Sequence, residues 1–88
     1  MANWVGGSAP AMASQVTGGF VLLSSATLKG FTPAELRTFK LELEKALRGV
    51  RAEVPPQDDA LAQQARHHKI SRLSSALQVV QNQLTRRR

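Results

Sequence analysis

The chain has 88 residues, enough for one domain, and a domain of this size buries only about 60% of its unfolded surface. It contains no cysteine, which excludes a disulfide scaffold and every thiolate metal site. Lys and Arg number 12 against 6 Asp and Glu, a net charge of +6, and aromatics are only 5% of the chain. This balance points to a basic, non-catalytic binding protein with no cofactor, in a reducing compartment, cytoplasm or nucleus.

Residues 1–28 carry no charged side chain. No basic n-region precedes the apolar residues, so nothing here reads as a secretory signal. Gly6, Gly7, Pro10, Gly18 and Gly19 break the run well short of the ~20 apolar residues that a membrane span needs. Gln15-Val16-Thr17 and Phe20-Val21-Leu22 flank Gly18-Gly19, a permissible two-residue turn. The expectation for residues 1–30 is an uncharged arm, either flexible or a short β element, on which the remainder does not depend.

A helix over about 33–53 is announced three times. Thr32 can cap the first turn, and Glu35 can reach back to the Thr32 N–H. Pro33 occupies the first helical position, where its missing donor costs nothing. Phe31 and Leu36 can close a hydrophobic staple. Leu36, Phe39, Leu43, Leu47, Val50 and Val54 then form one apolar stripe. Pro55-Pro56 ends it. A second helix over about 59–85 starts at Asp58 or Asp59, either a good cap. Ile70, Leu73, Leu77, Val80 and Leu84 form an a/d seam. Gln63 and Arg66 fall on its continuation and weaken it. Residues 31–88 therefore read as an all-α antiparallel helical hairpin with a basic tail at Arg86-Arg87-Arg88. Two helices cannot cover both stripes, so a homodimer closing a four-helix bundle is expected.

Catalytic and metal chemistry find little support. His67 and His68 are adjacent, so on a helix they face different directions. Asp58-Asp59 is better explained by capping than as an acid–base pair. No glycine-rich phosphate loop is present.

The basic residues are patterned. Arg37, Lys40, Arg48 and Arg51 fall within an arc of roughly 80° beside the apolar stripe. Glu35, Glu42 and Glu53 fall on the opposite flank. Glu44 lies inside the basic arc, with Lys40 and Arg48 as i±4 partners. Arg66, Lys69 and Arg72 add a cluster on the second helix. These seven residues form an expected surface for duplex phosphates, RNA somewhat before DNA, read by shape rather than base sequence. The competing class is a coiled-coil adaptor that uses the same apolar seam for another protein.

Phe31-Thr32-Pro33-Ala34-Glu35-Leu36, followed by a charged helix and then an Ala-rich one, resembles the coiled-coil hairpin of the DksA/TraR transcription factors. Those proteins carry a cysteine zinc finger after the hairpin, which this chain lacks, and no function is carried over.

Overall fold

Three stretches are helical in the computed structural model, which describes residues 4 and 6–86: α1 (Ala9–Thr17), α2 (Pro33–Ala52) and α3 (Ala60–Arg86). The described residues contain no strand. Arg87 and Arg88 of the basic tail lie outside them.

Helix α2 begins as its sequence dictates. The Thr32 hydroxyl accepts from the Glu35 N–H at 3.1 Å, and the Glu35 carboxylate accepts from the Thr32 N–H at 2.9 Å. This closed box satisfies two donors that a helix start otherwise leaves open. Phe31 and Leu36 on either side are fully buried. The stripe Leu36, Phe39, Leu43, Leu47 and Val50 is buried along its length. Val54, past the helix end, is 82% exposed and does not belong to it. Asp59, rather than Asp58, caps α3, accepting from the Ala62 N–H at 3.0 Å.

Helices α2 and α3 are antiparallel neighbours. Lys40, early in α2, bonds to Gln81, late in α3, while Arg66, early in α3, bonds to the end of α2. The two polar residues that interrupt the α3 seam have definite work. The Gln63 amide donates to the Pro55 and Pro56 carbonyls at 3.2 and 3.4 Å. The Arg66 guanidinium donates to the Glu53 and Arg51 carbonyls at 2.8 and 3.0 Å. Together they satisfy acceptors that the end of α2 and the proline linker cannot satisfy for themselves.

The N-terminal region departs from the sequence expectation. Residues 9–17 are helical, not a hairpin arm. Ser8 caps the start, its hydroxyl accepting from the Ala11 N–H at 3.3 Å, and Pro10 sits in the first turn. Ala9, Met12, Ala13 and Val16 recur at helical spacing and are all buried. The glycine pair ends this helix instead of turning a hairpin. The Phe20 N–H bonds to the Gln15 carbonyl at 2.9 Å and the Gly19 N–H to the Val16 carbonyl at 3.1 Å. This is a Schellman stop, and it needs Gly19 at its left-handed φ of +81°.

The region is also part of the core rather than an arm. Met12, Val16, Leu23 and Leu28 are buried in one cluster with Phe39, Leu43, Leu73 and Val80. Trp4 packs edge-on to Phe31 and Phe39, with ring centroids 4.7 and 5.6 Å apart. Helix α1 packs against both α2 and α3. The unit is thus three-helical, not a bare hairpin. The uncovered stripe that motivated a four-helix dimer is largely covered within one chain: Leu73 and Val80 are fully buried, and Ile70, Leu77 and Leu84 are half-buried.

Candidate nucleic-acid interface

Helix α1 covers one side of the α2–α3 pair, against Ala46, Gly49 and Val50. The other side is open, and Arg37, Lys40, Arg48 and Arg51 of α2 lie there. Arg37, Arg48 and Arg51 are exposed; Lys40 is half-buried. Two concavities run along this side. One, of about 450 Å³, is lined by Arg37, Lys40, Leu41, Glu44, Gln81, Leu84 and Thr85. The next, of about 370 Å³, is lined by Leu41, Glu44, Leu47, Arg48, Arg51 and Leu77. Leu41 and Glu44 line both, so the two are neighbours along the helix pair.

The charges on this side are largely unspent. Among the described residues, Arg37, Arg48 and Arg51 make no side-chain hydrogen bond or ion pair. Lys40 donates to the Gln81 side-chain oxygen at 2.9 Å. Glu44 forms no ion pair with Lys40 or Arg48 among the described residues, although both lie at i±4 spacing. On the α1 side, Lys45 pairs with Glu42 at 3.3 Å. With the exception of Glu44, which sits among the flank's cations, the signs are separated around α2: Glu35 serves the capping box and Glu42 holds Lys45.

The three basic residues of α3 do not join them as a single row. Arg66 is tied to the end of α2, as described. Arg72 is half-buried and donates from Nε and Nη2 to the Thr17 carbonyl, at 3.2 and 3.0 Å. It caps α1, and its guanidinium lies under Gly19, where an added Cβ would meet it at 3.3 Å. Lys69 is half-buried in a separate cleft beside Glu53, Val54 and Arg66. Of the seven cations, four therefore lie along the open flank of α2, two cap helix ends, and one stands apart.

Sequence reasoning passed over Leu41, Gln81 and Thr85, which line the open concavity. Leu41 carried a signal: it is an apolar residue set inside the basic arc, and it is 52% exposed. His67 and His68 are both exposed, and no group of three His, Cys, Asp or Glu side chains among the described residues could hold a metal ion. No described helix is long and apolar enough to cross a membrane. No protein-family model matches the chain, and no curated protein or solved structure matches it.

Proposed function

We propose that the chain is a non-catalytic binder of duplex nucleic acid, intracellular, contacting phosphates through the open flank of α2. One observation carries this reading: Arg37, Lys40, Arg48 and Arg51 share that flank, and among the described residues none is ion-paired with a carboxylate, Glu44 between them included. They span fifteen residues, about 21 Å of helix, long enough to meet several phosphates of one duplex. Arg66 and Arg72 leave the binding set, because their donors are committed to helix ends. No base-reading element accompanies the flank, so recognition is by backbone and shape, RNA duplex before DNA.

The test measures affinity for duplex RNA, duplex DNA and single strands over a range of salt. Four contacts give a slope of log K against log salt of about −3.6 on B-form DNA. Unrelated duplex sequences should bind alike. A flat slope, or a preference for single strands, contradicts the reading. One feature favours a protein ligand instead: Leu41 is half-exposed between the cations, beside the half-buried Leu77 and Leu84. Under that adaptor reading Leu41→Ala weakens partner binding, whereas phosphate binding tolerates it.

A further inference from the structure

The segment that follows α1 has an unusual combination of features. Phe20 and Leu22 are 80% and 89% exposed, while Leu23 is buried and Val21 half-buried. Side chains thus alternate between solvent and core, the period of a strand. Residues 21–24 nonetheless belong to no helix or strand. Among the described residues, the N–H groups of Val21, Leu22 and Leu23 donate no hydrogen bond, and the carbonyls of residues 20–23 accept none. The segment is held in place from behind. The Schellman stop fixes its entry, and the Phe20 ring lies over Gly18, where a Cβ would meet it at 2.7 Å.

Exposed edges with free backbone groups are normally protected by a lysine, a proline or another charge. Here there is no such protection, since residues 1–28 carry no charge. The cation that borders the segment, Arg72, shares its cavity but has Nε and Nη2 on the Thr17 carbonyl, and residues 1–28 add no charge of their own where two copies would meet. The segment is its own complement. Antiparallel pairing about a two-fold axis through Val21 sets Phe20 of each copy opposite Leu22 of the other, on one face.

We propose that Phe20–Leu23 is a self-association edge, through which two copies of the chain pair antiparallel and cover each other's Phe20 and Leu22. A lipid surface is a poorer occupant. Membrane-lying segments set several cations beside their apolar residues, whereas the cation that borders this segment, Arg72, has Nε and Nη2 bound to the Thr17 carbonyl. The α2–α3 seam is also a poorer dimer face, because Leu73 and Val80 are already buried within one chain. The pairing buries much less than the ~800 Å² per partner of a standard interface, so the dimer is weak and concentration-dependent. It is independent of the phosphate-binding reading.

The test is sedimentation equilibrium of the full chain from low micromolar to several hundred micromolar, without nucleic acid. The wild type should pass from monomer to dimer, and the Leu22 amide should gain hydrogen-exchange protection over the same range. Phe20→Asp and Leu22→Asp should each weaken association by at least about tenfold while keeping the helical spectrum, since neither side chain is in the core. Leu22→Pro removes one backbone donor and should weaken it likewise. Leu41→Asp, on the open flank, should leave it unchanged. A wild type that stays monomeric throughout overturns the proposal. So does a dimer that survives Leu22→Asp but is lost in Leu41→Asp, or a wild-type chain that stays monomeric in solution but sediments with uncharged lipid vesicles.

Discussion

The two long sides of the α2–α3 pair hold arginines in different states, and the difference comes from what stands opposite each one. Facing the ends of other helices, Arg66 and Arg72 meet carbonyls that have run out of partners and become caps, separated in sequence from their acceptors by up to 55 residues. Arg37, Arg48 and Arg51 face no helix end and stay in solvent. A wheel diagram assigns all of them to basic arcs and cannot tell the two kinds apart. What separates a structural arginine from a binding arginine here is therefore tertiary position. The comparison predicts opposite behaviour on the two sides: substitutions among the caps should cost stability, and substitutions on the open flank should cost only affinity.

The largest expected effect lies on the covered side. Removing residues 1–30 takes Met12, Val16, Leu23 and Leu28 out of the core. Burial of one Met or Leu against Ala is worth about 2–5 kcal/mol, and whole domains have a net stability of only about 5–15 kcal/mol. The shortened chain should lose its cooperative thermal transition by circular dichroism. A sharp transition retained at an unchanged temperature would mean that α1 is dispensable. Arg72→Ala comes next. It strips the Thr17 carbonyl of both its donors, and the loss should be about 1–3 kcal/mol in urea titration. Arg72→Lys should recover only part, because an ammonium lacks the planar fork. Thr32→Ala should cost about 1 kcal/mol by opening the capping box. Arg48→Ala on the open flank should lie within about 0.5 kcal/mol of wild type. Equal losses for Arg72→Ala and Arg48→Ala would erase the distinction between the two sides.

Much of the scaffold was legible in the chain. Helix α2 announces itself through Thr32, Pro33 and Glu35, and stops at Pro55. The α3 seam was legible in part: Leu73 and Val80 are buried as the spacing has them, but Ile70, Leu77 and Leu84 are half-buried, and Ala76 and Gln83 complete the buried face. Helix α1 was harder for a physical reason: nine residues are too short to be stable alone, and none carries a charge to mark an exposed face. Its signals were nonetheless present in Ser8, in the spacing of Ala9, Met12, Ala13 and Val16, and in Gly18-Gly19. The glycine pair suits a hairpin turn or a helix stop equally well. The buried positions behind it decide the matter, and they follow the helical period. The α2 flank was legible as a row, because its four cations share one helix. The α3 contribution was not, because the acceptors of Arg66 and Arg72 are brought to them only by the folded chain. The exposure of Phe20 and Leu22 also depends on the three-helix packing, which buries Leu23 and leaves its neighbours outside.

The central claim is that the open flank of α2, and not the basic residues of α3, holds phosphates. The most direct test compares wild type with the Arg48→Ala, Arg51→Ala double variant, measuring duplex RNA and duplex DNA affinity across a series of salt concentrations. The account predicts weaker binding by about the same factor for unrelated sequences, an unchanged helical spectrum, and a slope on B-form DNA flatter by about two units. Undiminished affinity with an unchanged slope in the double variant would contradict it.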